Sequence, residues 1–362
     1  MRLKALLVSA VLVAGSVLYA QNRVKPAALP PTHDQFLATF AAYVDALRVQ
    51  AGIPGMAGAI TDGQSVIWAQ AFGYKNVASG FQTSTDTPFH FDGLTQVVTA
   101  VSVLQCVEQG RVALDQRAAV FTPSSPDANA TIGQLLSHTS GTTGNLTFSY
   151  NVARLDPLRQ VLQTCNGETF RWAFRDQLER NAMMDSVPGP DAASPSLPTL
   201  ESASDGEAVR YQGVLSRLAT PYAVTVGSAP TPSSYPAATL GAGSGLISTV
   251  LDFAKFDLDL KQGILLRPET LAAAWSNPVN ANGQVLPHGY GWFVQTYNGE
   301  PVVWQFGIGA NASSSLLLTL PNRGVTLILA ANSDGLGKPA SLSAGDVTVS
   351  PFAKVFLSLV VR

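Results

Sequence analysis

Segments patterned as strands lie at the two ends of this chain, and segments patterned as helices fill its middle. Strands that far apart in sequence bury their apolar faces most simply by pairing with each other, so the order calls for one sheet built from both termini. At the N-terminal end Phe36, Leu37, Phe40, Ala41, Val44 and Leu47 recur at helical spacing within 33–50, and Ile53-Pro54-Gly55 stops that helix. Runs at 56–60 and 65–72, split by Asp62-Gly63, predict a hairpin. Strand patterning returns at 292–297, 302–306, 314–319 and 325–331, with turns at Asn298-Gly299 and Asn322-Arg323-Gly324, and a helix over 351–361 closes the chain. The expected class is α+β: an antiparallel sheet flanked by helices, with its lobe at 33–92 and 241–362 and an inserted helical lobe at 93–240. Residues 188–236, rich in Pro, Ser and Ala, read as a long surface excursion beside the cleft, placed to shape ligand access.

Residues 1–20 combine Met1-Arg2-Leu3-Lys4 with an apolar run to Ala20, the pattern of a signal peptide, and 21–32 read as a linker. Export to a periplasmic or extracellular space is expected. Membrane contact is expected only if the N-terminal segment stays uncleaved, an alternative raised by Leu18 near the cut. Charged residues are only 13% of the chain and the net charge is −2, which supplies no basic field for a nucleic acid. Cys106 and Cys165 both sit in apolar helical patterns; two buried thiols are the preferred reading and a disulfide the alternative. His33, His90, His138 and His288 show no ligand spacing with them, so no metal is expected, and no motif calls for a cofactor. Tyr290, Trp292, Trp304 and Phe306 are expected in core packing rather than in ligand stacking.

The stretch Phe89-His90-Phe91-Asp92-Gly93-Leu94-Thr95-Gln96 and the helix pattern after it, Leu135-Leu136-Ser137-His138-Thr139-Ser140-Gly141, Gly243-Ser244-Gly245-Leu246, Gly289-Tyr290-Gly291-Trp292 and the run to Leu320-Pro321 fall in register together. In that register the chain resembles the serine β-lactamase and penicillin-binding protein family, of the class C type, over roughly 33–362. The resemblance implies the family's fold, a cleft between sheet and helices, and as ligands a β-lactam, a peptidoglycan-like peptide or a protein partner.

It also locates the family's active-site positions, and here most are changed. The family acylates a serine in Ser-x-x-Lys; Gly93 stands at the serine and Gln96 at the lysine. Tyr150 and Val152 fall on the Tyr-x-Asn loop, while a slip of one residue would give Ser149-Tyr150-Asn151 instead. Gln305 and Gly307 fall on Lys/His-x-Gly, and the oxyanion-hole amides would be those of Gly93 and Ile308. Asp92 is expected to cap the following helix. As substitute nucleophiles, Ser248 lacks an adjacent base, Ser140 shares one structural element with His138, Ser244 stands one place too late for a Gly-x-Ser-x-Gly elbow, and Thr95 is expected to point away from the cleft. The implied function is an inactive family member that keeps its cleft for binding or scaffolding; the alternative is a working β-lactamase, carboxypeptidase or esterase with a non-standard nucleophile. Replacing Gly93 by Ser together with Gln96 by Lys is expected to restore some acylation if the rest of the cleft is intact.

Overall fold

The computed structural model describes residues 33–142, 145–338 and 341–361, so the segments read as signal and linker lie outside the described residues. Seven strands form the main sheet: β1 (Gly55–Thr61), β2 (Val66–Asn76), β3 (Phe81–Gln82), β4 (Phe293–Tyr297), β5 (Glu300–Gly309), β6 (Ser313–Leu320) and β7 (Val325–Ala331). Their order is β4-β5-β6-β7-β1-β2-β3, and every neighbouring pair is antiparallel. The pairing of β1 with β7, Met56 opposite Ala331 and Thr61 opposite Thr326, joins the two ends of the chain.

Side chains alternate between the two faces of this sheet, and both faces are covered. On one, Ile60, Leu316, Leu318, Leu327 and Leu329 pack with Phe40 of helix α1 (His33–Gln50) and Phe356 of the closing helix. On the other, Ala57, Ala59, Leu317, Ile328 and Ala330 join a larger core with α2 (Thr95–Glu108), α3 (Pro157–Asn166), α4 (Phe170–Arg180) and α5 (Val250–Lys261). The closing helix, α6, spans Pro351–Val360. Because neither face meets water, β1, β6 and β7 are buried at every position, which is why they read as near-continuous apolar and small-residue runs.

Helix α2 runs through the middle of this core, with Thr95 to Leu104 all buried. An all-round apolar helix suits only such a position. Its Cys106 and the Cys165 of α3 are joined in a disulfide, Cα–Cα 6.2 Å, which corrects the reading of two separate thiols. Each helix turns its apolar face to the other in one core, and that contact, invisible in either pattern alone, sets the two thiols side by side. The 188–236 excursion contains a helix, Asp205–Leu215, with a small core of its own around Tyr211 and Val214. Buried Arg171 pins its start, bonding the Pro188 carbonyl and both oxygens of Asp191.

Candidate functional site

The cleft lies where α2 begins, against the free part of β5. Pairing with β4 ends at Trp304, so 305–309 keep an open edge, and that edge faces the 3-10 turn Asp92–Leu94. A cavity of about 380 Å³ opens there, lined by Asp92, Gly93, Tyr150, Val152, Pro236, Ala237, Gly243, Ser244, Phe306 and Ile308. The structure thus brings together Gly93, Tyr150, Val152 and Ile308 from three separate parts of the sequence. Pro236 and Ala237 close one side, so the excursion does reach the cleft.

Gly93 is closed in as well as bare. A Cβ built there would lie 2.4 Å from the Phe306 carbonyl oxygen and 3.2 Å from the Gly307 α-carbon. Gly307 is equally tight: its Cβ would meet the Phe91 carbonyl at 2.3 Å and the Gly93 nitrogen at 2.7 Å. Strand and turn rest backbone to backbone, in a gap only two glycines fit. A serine side chain at Gly93 would therefore have to displace the backbone of β5, which works against the acylation expected of Gly93→Ser with Gln96→Lys.

Asp92 does not cap α2, whose N-terminus has no side-chain cap. It sits at φ +45°, uncommon for a residue other than glycine, and its carboxylate turns the other way. One oxygen pairs with His90 Nδ1 at 2.9 Å and the other accepts from the Ser313 hydroxyl. These buried partners hold the turn in its left-handed conformation. The cluster is no catalytic triad: both serine and histidine point at the carboxylate, and Ser313 is fully buried.

Gln96 is the centre of a directed hydrogen-bond chain. The Asn151 backbone N–H donates to His138 Nδ1 at 3.3 Å, so that nitrogen is bare and the proton of a neutral ring is on Nε2. Nε2 then donates to Gln96 Oε1 at 2.9 Å, and Gln96 Nε2 donates to the Tyr150 hydroxyl at 2.8 Å. This contact fits the register with Tyr150 on the tyrosine position, while Asn151 caps the turn at Ala153. Burial pushes the Tyr150 phenol well above its ordinary range, opposed only in part by the Gln96 donor, so it stays protonated and cannot serve as a base. Burial and the neighbouring His288 hold His138 well below the usual imidazole range.

Gln305 is spent elsewhere. His288 Nδ1 donates to the Gly289 carbonyl at 2.8 Å, which leaves Nε2 to accept from Gln305 Nε2 at 3.1 Å. The same amide nitrogen reaches the Gly291 carbonyl, and Gln305 Oε1 accepts from the Phe306 N–H. Fully buried and satisfied, Gln305 presents nothing to the cavity. His288 is neutral, pushed down to about 3 by burial. Val152 packs beside Gly243, where a Cβ would strike its Cγ1 at 2.3 Å.

The other hydroxyls are held structurally. Thr95 Oγ1 donates to the Asp92 carbonyl and accepts from the Leu246 N–H; Ser248 bonds Ser186; Ser140 bonds Thr147. Ser244 lines the cavity with no side-chain hydrogen bond to a base among the described residues. Trp292, Trp304 and Phe306 are buried in the core as expected and Tyr290 packs against it, while Phe306 also stacks on Tyr150, ring centroids 5.2 Å apart, and lines the cleft. No group of three or more His, Cys, Asp or Glu is placed to hold a metal among the described residues. Nor, among them, is any helix long and apolar enough to cross a membrane. Sequence reasoning missed His90, Ser313 and His288; the last sits next to the Gly289-Tyr290-Gly291-Trp292 motif and could have been flagged there.

Comparisons agree with this architecture. The family model described as beta-lactamase matches residues 40–346. Penicillin-binding protein 4 of Amycolatopsis lactamdurans is 36% identical over 138 residues, a segment that spans about a third of each protein, 34% of this chain and 36% of the other. The octameric penicillin-binding protein homologue of Pyrococcus abyssi superposes with TM-score 0.69 at 18% identity, over 89% of this chain and 77% of that one. The D-amino acid amidase of Ochrobactrum anthropi SV3 also gives 0.69, at 17% identity, over 90% and 98%. At these identities the superpositions speak for the fold.

Proposed function

The chain belongs to the beta-lactamase family, and from that premise we propose that it is an exported member whose cleft binds a ligand without acylating it. The observation that carries this reading is Gly93: the position lacks a nucleophile, and the Phe306 carbonyl occupies the space one would need. Loss of the catalytic serine alone costs on the order of 10⁶-fold in a serine protease of unrelated fold, and the loss of its partners adds little. Here the partners are also reassigned, with Gln96 bound between His138 and Tyr150 and Gln305 bound to His288. The cavity itself remains, and small-molecule sites have this concave, mostly apolar form. The penicillin-binding and amidase names of the proteins it resembles make the amide carbonyl, the group those names share, the feature to look for first in a ligand. Export is supported by the N-terminal signal pattern and by the Cys106–Cys165 disulfide, which suits an oxidising compartment.

The test is turnover of a chromogenic cephalosporin and of 4-nitrophenyl acetate. Rates at the level of a heat-denatured control support the reading. Saturable hydrolysis that survives repurification contradicts it.

A further inference from the structure

We infer that the Tyr150 hydroxyl acts as a neutral hydrogen-bond donor into the cleft, alongside the Ser244 hydroxyl, and that the cleft selects an uncharged ligand that presents a carbonyl-type acceptor on an apolar body. The inference rests on the binding role proposed above. It begins with direction. A backbone N–H can only donate, so the Asn151 contact fixes the His138 tautomer, which fixes the Gln96 amide, which makes the Tyr150 oxygen an acceptor from Gln96. The phenolic proton is then free to be given away, and no acceptor among the described residues takes it. Such chains polarise each link in turn, so the terminal O–H is a better donor than an isolated phenol. Stacking on Phe306 at 5.2 Å and a tilted contact with the His138 ring at 4.6 Å fix the ring that carries it.

Charge selection follows from the remaining walls. No lysine or arginine lines the cavity. A ligand carboxylate would enter beside buried Asp92 without a cation, and an unpaired buried charge is strongly disfavoured. An ammonium would have to reach a carboxylate that is only 4% exposed and already holds His90 on one oxygen and Ser313 on the other. Val152, Pro236, Ala237, Phe306 and Ile308 supply an apolar surround. A neutral amide or ketone on an aromatic or aliphatic body matches what is left.

Three probes of equal ring size, benzamide, benzoate and benzylamine, are titrated into the full folded protein and followed by saturation-transfer NMR. Benzamide is expected to bind at least about tenfold more tightly than either charged probe, and Tyr150→Phe, which keeps the ring stack, to weaken benzamide about fivefold or more. Benzoate or benzylamine binding as well as benzamide, no benzamide signal at 10 mM, or unchanged affinity in a folded Tyr150→Phe overturns the inference. The comparison among probes in the unaltered protein needs no variant and decides the matter even if Tyr150→Phe does not fold. Turnover of 4-nitrophenyl acetate is measured on the same sample: turnover sinks the non-acylating role, whereas charge-blind binding without turnover sinks only this inference.

Discussion

Gly93→Ala tests the closed gap with a single methyl group. Gly93 lies in a 3-10 turn and is not among the glycines with positive φ, so the backbone itself accepts alanine. In an open helical site that exchange stabilises by roughly 0.5–1 kcal/mol, through lower entropy of the unfolded chain and better helix propensity. Here the added Cβ meets the Phe306 carbonyl oxygen at 2.4 Å. That oxygen is backbone, in a strand registered Phe306 to Leu316 and stacked through its side chain on Tyr150, so it cannot rotate aside. Relief needs the strand to move by most of an ångström, and overpacking of this kind costs about 1–3 kcal/mol. The net expectation is destabilisation by about 1–2 kcal/mol, opposite in sign to the open-site case. Gly213, in the helix Asp205–Leu215 with nothing within 4 Å of a built Cβ, is the control: Gly213→Ala should stabilise by about 0.5–1 kcal/mol. Urea denaturation of the three proteins, read as midpoint shifts at constant slope, gives the comparison. If Gly93→Ala stabilises like Gly213→Ala, the gap is open and the steric argument against a nucleophile fails.

Removing the Cys106–Cys165 link, which spans a sequence separation of 59, should lower stability by about 2–4 kcal/mol, since a loop of that size confines the unfolded chain; Cys106→Ser with Cys165→Ser and a thiol titration of the parent check it. His288 has a folded pKa near 3, below its unfolded value, so its contribution is present above about pH 6.5 and is lost as pH falls toward 3. That loss is on the order of 4 kcal/mol, His138 adds to it in the same direction, and His288→Asn should flatten the stability profile across that window. Asp92→Ala leaves His90 and Ser313 unpaired and puts alanine at φ +45°, costing about 3 kcal/mol, whereas Asp92→Gly should recover about 1 of it in the same denaturation assay.

Period and turn chemistry made much of the sheet legible before any coordinates. Asn298-Gly299 and Asn322-Arg323-Gly324 fell between strands as expected, with Asn298 and Gly299 both at positive φ. The strands ran longer than their alternation suggested: β2 reaches Asn76 through its pairing with β3, and β5 reaches Gly309 through its pairing with β6, which carries both past their apolar residues. What stayed hidden depends on which surfaces meet. The apolar stripes around Cys106 and Cys165 look alike whether the thiols face each other or not. The helix-cap reading of Asp92 failed because His90, two residues back, and Ser313, on β6, hold its carboxylate in place of the local N–H. Nothing in Gly93 or Gly307 taken singly tells that they press on one another; that follows from the register of β5 on β6. The chain from Asn151 to Tyr150 likewise exists only once α2 and the loop after His138 share a core.

The most direct measurement is the intact mass of folded protein after prolonged incubation with benzylpenicillin and, separately, with a fluorophosphonate. With no nucleophile at Gly93, no base bonded to the Ser244 hydroxyl and Ser313 fully buried away from the cavity, the mass should be unchanged in both. A stoichiometric adduct mapped to any side chain lining the cavity, Ser244 foremost, would contradict the account.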